Sequence, residues 1–149
     1  METKHFGMIS FEPESELEFP AGLPGLDGHR RFVAVRFVES DPLIYLQSLE
    51  DPDLCFITMP ILAVEPLYKL KVSDEDLDQL GLSQTRQPHI GEDVLCLTVL
   101  SIRESGPTAN LLAPIVVNLS TRKAVQAVAA ESDYSHQFAL MPQEASVCS

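Results

Sequence analysis

Residues 108–126 constrain the fold of this chain more than any other segment. They read TANLLAPIVVNLSTRKAVQ, an apolar run that is interrupted by Asn110, Pro114 and Asn118. Because proline has no amide donor, Pro114 fits only an edge or a bulge of a sheet. Residues 118–121 have the composition of a turn. The segment therefore predicts a strand, a kink, a second strand, a turn and a third strand.

The rest of the chain is a series of short β-like runs separated by proline and glycine. In the run at residues 31–38, RFVAVRFV, apolar side chains fall on both faces of the predicted strand, as expected for a closed barrel or a sheet covered on both sides. The spacing of turn signals favours a mainly β protein, and a barrel also removes exposed sheet edges. The predicted strands are residues 5–11, 16–19, 31–38, 43–49, 54–59, 94–104, 110–118 and 123–130.

A helix is predicted for VSDEDLDQLG at residues 72–81. Ser73 is a favourable N-cap, the acidic residues that follow it suit the positive end of the helix dipole, and Gly81 ends the helix. Val72 and Leu77 have the spacing of a hydrophobic staple.

These patterns predict the architecture of the chain. At 149 residues the chain can bury one core. We predict a mainly β fold: a single compact domain over residues 1–149, with a small β-barrel-like sheet and one or two short helices. The core should cover residues 5–140, and residues 141–149 should form a flexible tail.

The charge of the chain limits its partners. Acidic residues outnumber lysine and arginine by 22 to 10, which gives a net charge of −12. This field repels nucleic acid and anionic membranes and attracts basic proteins. No apolar run is long enough to cross a bilayer, and the first residues lack a secretory signal, so we expect a cytoplasmic protein.

Ten of the acidic residues lie between Glu39 and Asp78, where Lys69 and Lys71 are the only basic residues. Some of these acids are explained by the helix dipole or by solubility. As a hypothesis, two clusters within this segment form a partner-binding surface: Glu50, Asp51 and Asp53 in a turn, and Asp74, Glu75, Asp76 and Asp78 in the predicted helix.

The sequence gives little support for catalysis. The four histidines lack the HxH or HExxH spacing of a metal site, and there is no GxSxG nucleophile motif. Gly22, Gly25 and Gly28 match neither GxGxxG nor the P-loop, so they are interpreted as turn residues. Cys55 and Cys96 lie in apolar runs and are interpreted as buried thiols. We therefore expect no enzymatic activity, no metal and no cofactor.

Several motifs together resemble the bacterial flagellar assembly factor family FliW. They are FPAGLPG at residues 19–25, LQS at 46–48 with DP at 51–52, and the segment at 108–118 with Gln126 and Tyr134 after it. The resemblance covers residues 19–140. The motif residues that are interpreted as mainly structural are Gly22, Pro24, Gly25, Gln47, Ser48, Asn110, Pro114, Asn118 and Gln126.

The resemblance implies a regulator that works by partner switching. Members of this family bind flagellin in the cytoplasm and alternately bind CsrA, a small basic RNA-binding dimer that represses translation of flagellin messenger RNA. When flagellin is exported, the freed factor captures CsrA and relieves repression. No direct contact with nucleic acid or a membrane is expected.

Two other classes of function are compatible with the residues alone. A small-ligand-binding β-barrel would need an apolar interior cavity with a few convergent polar groups. A small hydrolase that uses serine or histidine would turn over generic ester or phosphate substrates.

Overall fold

A computed structural model of the chain describes residues 2–4, 6–8, 15–23, 26, 28–128 and 133–140. Within these residues there are ten strands, two α-helices and one 3-10 turn. The strands are β1 (Glu2–Thr3), β2 (Gly7–Met8), β3 (Glu16–Glu18), β4 (Arg31–Val35), β5 (Ile44–Ser48), β6 (Cys55–Pro60), β7 (Val94–Arg103), β8 (Gly106–Asn118), β9 (Ala124–Gln126) and β10 (Phe138–Ala139). The helices are α1 (Ile61–Val64) and α2 (Asp74–Leu80), and the 3-10 turn is Val38–Ser40.

Eight of the strands form one antiparallel sheet. Its order is β10-β8-β7-β6-β5-β4-β3, and β9 also pairs with β8. The sheet curls until β3 meets the turn before β9, where the amide of Glu18 donates to the carbonyl of Arg122 at 3.1 Å and Glu18 forms a bridge with Lys123. The result is a nearly closed barrel, and the prediction of a mainly β, barrel-like domain with one or two short helices is confirmed.

The interior of the barrel is the first of two apolar cores. On β4, Phe32 faces this core and Ala34 packs against it, and the alternate residue Val33 is also fully buried. Both faces of this strand are thus covered, as its sequence predicts. The buried members of the interior core are Leu17, Phe19, Leu23, Phe32, Ile44, Leu46, Leu97, Ile115, Val117 and Ala124.

The second core lies between the barrel and the long connection from β6 to β7. Strand residues that point out of the barrel pack against side chains of that connection, because a buried segment must cover its apolar stripe. Helix α2 contacts β9 in this layer. The buried members are Ile61, Tyr68, Val72, Leu77, Leu80, Val94, Cys96, Ala109, Leu111, Val116, Val125 and Ala127.

Helix α2 forms where the sequence predicts it. The side chain of Ser73 accepts a hydrogen bond from the amide of Asp76, and Gly81 ends the helix with φ of 75°. This left-handed conformation suits glycine because it has no Cβ. Val72 and Leu77 are both buried in the second core.

Four strands differ from the prediction by three residues or more. Strand β4 ends at Val35 rather than at residue 38, because the chain turns at Val38–Ser40 and Val38 there is 93% exposed. Strand β8 begins at Gly106 rather than at residue 110, because β7 and β8 pair down to the tight turn between Arg103 and Gly106. Strand β9 ends at Gln126, because its pairing with β8 stops at Ile115, next to the kink. In the predicted strand at residues 5–11, Gly7–Met8 is a strand; residues 5, 9–11, 129–130 and the tail at 141–149 lie outside the described residues.

A two-stranded hairpin of β1 and β2 covers the outside of the barrel beside β5. The ring of Phe6 lies 5.3 Å from that of Tyr45 and 5.6 Å from that of Phe37. The amide of Lys4 donates to the carbonyl of Pro52 at 3.1 Å. No helix in the described part of the chain is long and apolar enough to span a membrane.

Helix α2 should contribute to stability mainly through its buried face. Leu77 is 1% exposed, whereas Leu67 in the same connection is 81% exposed. We expect Leu77→Ala to lower the free energy of unfolding by about 2–5 kcal/mol, because it leaves a cavity in the second core. Leu67→Ala, the matched control, should change it by less than about 0.5 kcal/mol. Urea unfolding measures both, and equal losses would contradict the assignment of α2 to the core.

Candidate functional site

The turn between β5 and β6 is held from inside by two buried polar side chains. Ser48 Oγ accepts hydrogen bonds from the amides of Glu50 and Asp51, both at 3.0 Å. Gln47 Nε2 donates to the carbonyls of Ser48, Asp51 and Pro52 at 3.0, 3.2 and 3.3 Å. Gln47 and Ser48 are fully buried. The turn therefore presents its acidic residues in a fixed geometry.

The carboxylates of this turn also maintain its shape. Glu50 Oε1 accepts from the amides of Arg30 and Arg31 at 2.8 and 2.9 Å. The hydrogen bond from the Arg31 amide is the main cause that holds the pKa of Glu50 below its ordinary value. Asp51 Oδ1 accepts from the amide of Asp53 at 2.9 Å, which is an Asx turn. Glu50 and Asp53 are exposed and Asp51 is half-buried.

The second acidic cluster lies on α2. Asp74, Glu75 and Asp78 are exposed, and the described residues offer none of them an ion pair. Asp76 is half-buried, and burial raises its pKa. Three of the four acids occupy the first helical turn, where the helix dipole favours negative charge.

No hydrogen bond or ion pair joins the two clusters in the described part of the structure. The acids of α2 instead border the turn at Gly22. A cavity of about 220 Å³ is lined by Gly22, Glu75, Asp76 and Gln126, among others. Gly22 itself has φ of 72°, and Pro24 and Gly25 lie outside the described residues.

Strand β8 contains a bulge at the position that the proline predicts. Leu97 pairs with Ile115, but Val99 pairs with Asn110, so residues 111–114, which include Pro114, face a single residue of β7. This single residue of β7 is Thr98. It is fully buried, and its Oγ1 donates to the carbonyl of Asn110 at 2.8 Å. The bulge therefore has backbone groups that the sheet cannot satisfy.

Side chains and loops supply the missing hydrogen bonds, because buried backbone groups need partners. Asn110 Oδ1 accepts from the amides of Leu112 and Ala113 at 3.1 and 3.0 Å. Gln126 Nε2 donates to the carbonyl of Ala113 at 3.1 Å. The carbonyl of Pro114 accepts from the amide of Ala127 at 2.9 Å.

Asn118 connects the turn after β8 to helix α2. Its side chain is buried. Nδ2 donates to the carbonyl of Leu80 at 2.8 Å, and Oδ1 accepts from the amide of Ser120 at 2.8 Å. The carbonyl of Leu80 lies at the end of α2, where the helix leaves carbonyls without intrahelical partners.

Tyr68 has a comparable role that the sequence does not reveal. Its hydroxyl donates to the carbonyl of Leu111 in the bulge at 2.8 Å. Its ring stacks on that of Tyr134 with the centroids 4.3 Å apart, and the Tyr134 hydroxyl accepts from the amide of Lys69 at 2.9 Å. The contact between Tyr68 and Leu111 spans 43 residues, and no local motif surrounds Tyr68 that could indicate it.

Each mouth of the barrel has a cavity. One cavity, of about 250 Å³, is lined by the bulge residue Asn110 together with Arg103 and His136. The other, of about 460 Å³, lies at the opposite mouth and is lined by apolar interior residues with Arg36 and Arg122. Arg122 and Lys123 are adjacent in the sequence, but nothing in the sequence indicates that Arg36 lies at the same mouth as Arg122.

The described residues form neither of two kinds of reactive site, a metal centre and an activated thiol. No group of three or more histidine, cysteine or acidic residues among them could hold a metal ion. Burial raises the pKa of Cys55 to about 11 and that of Cys96 to about 12, so both thiols stay protonated and unreactive near neutral pH.

Comparison with known proteins gives the same family as the sequence motifs. The family model described as FliW protein matches residues 1–140. The chain belongs to the FliW family. A crystal structure of the flagellar assembly factor FliW superposes with a TM-score of 0.82 at 28% identity, and the match covers 97% of this chain and 98% of that one.

Sequence relatives in the FliW family carry the same description. The flagellar assembly factor FliW of Syntrophomonas wolfei is 35% identical over 133 residues, which is 87% of this chain and 80% of the relative. That of Pseudothermotoga lettingae is 36% identical over 137 residues, with the same coverage of both chains. The chain is thus a flagellar assembly factor by family.

For this FliW-family chain, Asn118→Ala should lower the free energy of unfolding by about 1–3 kcal/mol, because it leaves the buried carbonyl of Leu80 without its donor. Gln84 offers a matched control, since its Nε2 donates to the carbonyl of Asp74 at 3.1 Å from an exposed position. Gln84→Ala should cost less than about 0.5 kcal/mol. Urea unfolding compares them, and an Asn118 variant of normal stability that fails to bind a partner would contradict the structural role.

Glu50→Gln should change the pH dependence of stability. Since the folded protein lowers the pKa of Glu50, the ionised carboxylate stabilises the fold above its unfolded pKa, and this is lost as the pH falls through the folded value. The variant should lose less than about 1 kcal/mol at pH 7, because solvent screens the charge. Urea titrations from pH 7 to about pH 3 should show this difference vanish.

Glu39→Gln is the control for that titration. Glu39 is exposed and accepts no hydrogen bond from the other described residues. Its variant should follow the unmodified protein at every pH. A Glu50 variant whose loss is the same at low and neutral pH would show that the charge of Glu50 is not the cause.

Proposed function

We propose that this chain binds flagellin and, alternately, the translational repressor CsrA, and that it relieves repression of flagellin synthesis by this exchange. In this proposal it acts in the cytoplasm, has no enzymatic activity and uses no cofactor. Membership of the FliW family supports a role in flagellar assembly. The exposed carboxylates of α2 are the structural observation that supports binding to a basic partner.

The acidic surface has the charge that the CsrA part of the proposal requires. A chain with net charge −12 attracts a basic dimer at long range, which raises the association rate and selects for basic partners. Asp74, Glu75 and Asp78 are exposed, and no described cation neutralises them. They can therefore approach a partner without first breaking a contact in the fold.

The turn at residues 48–53 fits this role less well than α2. The carboxylate of Glu50 accepts two backbone hydrogen bonds, and Asp51 shapes the turn through the amide of Asp53. Substitution of either residue would disturb the turn as well as any interface. We therefore place the main attraction for CsrA on α2, with the turn as a secondary contact.

Exchange between two partners requires either overlapping sites or coupling between separate ones. Overlapping sites exclude each other directly. Separate sites need a coupling free energy of about 1–3 kcal/mol, and each partner then weakens the other by the same factor. Binding of this chain to CsrA can likewise release RNA only if the two sites on CsrA overlap or are coupled. An amphipathic flagellin helix would bind against an apolar surface or a sheet edge.

Titration of the purified chain with CsrA and with flagellin from the same cell, followed by competition between them, tests the proposal. We expect saturable binding of each partner and displacement of CsrA by flagellin, because the exchange requires that the two exclude or weaken each other. Binding of both partners without mutual effect would contradict the switch, and binding of neither would remove the proposal.

A charge variant locates the CsrA surface within the same experiment. Glu75→Gln with Asp78→Asn keeps the shape of α2 and removes two charges. It should slow association with CsrA by at least about threefold at low salt and reduce the salt dependence. Glu104→Gln with Asp133→Asn, two exposed acids elsewhere, changes the net charge equally. Equal slowing by both pairs would show that only net charge matters.

A further inference from the structure

The larger of the two mouth cavities has the form of a ligand site. It opens where β4 ends, β7 begins and β8 ends, and its volume is about 460 Å³, within the range of roughly 300–1,000 Å³ that is usual for ligand pockets. The cavity is lined by Ser15, Leu17, Ala34, Arg36, Leu95, Val117, Leu119 and Arg122. It is separate from the acidic residues of α2 and of the turn at residues 48–53.

The floor of this cavity is apolar. Leu17 and Val117 belong to the interior core of the barrel, and Ala34 and Leu95 pack against that core. Leu119 at the rim is 43% exposed. Leu17 and Val117 are already only 6% and 2% exposed, so the main source of affinity for an apolar ligand is the burial of its own hydrocarbon tail. The tail would also cover the half-buried Ala34 and Leu95 and the exposed part of Leu119.

Two arginines supply positive charge beside this floor. Arg31 pairs with Glu16 and Arg86 pairs with Asp93, but neither Arg36 nor Arg122 has an ion pair with any described residue. Acids outnumber lysine and arginine by 22 to 10 in the whole chain. Arg30 and Arg103 likewise have no ion pair with a described residue, but Arg36 and Arg122 are the two that line one cavity.

Arg122 lies at this mouth in an unusual backbone conformation. Its φ of 61° makes it the only described residue other than glycine with a positive φ. Its amide donates to the carbonyl of Asn118 at 2.7 Å, and its carbonyl accepts from the amide of Glu18 at 3.1 Å. Glycine or asparagine would adopt this conformation at lower cost, so the backbone alone gives no reason for an arginine here.

We propose that this mouth binds an anionic amphiphile, namely a medium-chain fatty acid. The alkyl tail lies over Leu17, Leu95 and Val117, and the carboxylate binds the guanidinium groups of Arg36 and Arg122, because arginine and carboxylate form charge-assisted hydrogen bonds. This site goes beyond the exchange of flagellin and CsrA, and it needs neither protein.

Titration of the ¹⁵N-labelled chain with decanoate, below its micelle concentration, tests the site. We expect saturable shifts of the amide resonances of Leu95, Val117 and Leu119. Decanol has the same tail without the charge, and it should bind at least about tenfold more weakly. Absence of saturable shifts at these residues, or equal affinity for decanol, would overturn the proposal.

Arginine variants test the contribution of charge. Arg36→Gln and Arg122→Asn, which tolerates the left-handed backbone, should each weaken decanoate by about tenfold. Arg103→Gln removes the same charge at the opposite mouth, and it should leave the affinity within about twofold. If Arg103→Gln weakened decanoate binding as much as the other two variants, net charge would explain the loss and the proposal would be overturned.

Titration with a peptide tests whether this mouth binds a chain terminus and not a fatty acid. An apolar peptide with a free C-terminal carboxylate should compete weakly or not at all with decanoate. If this peptide shifts the amides of Leu95 and Val117 where decanoate does not, the mouth accepts a chain terminus and the fatty-acid proposal is wrong. The amidated form of the peptide shows whether its carboxylate is recognised.

Discussion

Barrel closure at the turn between β8 and β9 is the constraint on which the other features depend. The carbonyl of Arg122 accepts from Glu18 on β3, and this contact turns an open sheet into a nearly closed barrel. Asn118 at the same turn donates to the end of α2, so the turn also positions the outer core. Closure removes most of the exposed edges of the sheet and creates the two mouths.

The bulge in β8 allows one long strand to serve two layers. A regular strand from Gly106 to Asn118 would keep one register with β7, whereas the shift at Thr98 lets the two halves pair differently. The backbone groups released by this shift are satisfied by Asn110 and Gln126. A substitution at either side chain would leave buried polar groups without partners, and the cost of that exceeds the value of a typical hydrogen bond.

Local chemistry determines which features the sequence predicts. The caps of α2 and the kink at Pro114 follow from backbone constraints within a few residues, so a single sequence indicates both. Contacts between distant segments are different. The carboxylate of Glu50 accepts hydrogen bonds from amides 19 and 20 residues away, so no local pattern could predict that it holds the turn between β5 and β6. The cavity between Arg36 and Arg122 exists only because the sheet closes, and no spacing along the chain encodes it.

Charge acts at two ranges in this structure. At distances beyond a few ångströms, a partner experiences the sum of the charges, which is −12, until salt screens it over about 8–10 Å. At contact, only the nearest groups matter, and at the mouth with Arg36 and Arg122 these are cations without described partners. A basic protein is therefore attracted before contact, while a small anion must overcome the net field and is held only after it arrives. The long-range field changes association rates, and the contact with the arginines changes dissociation rates. Added salt should therefore slow the association of a basic protein and speed the association of a small anion.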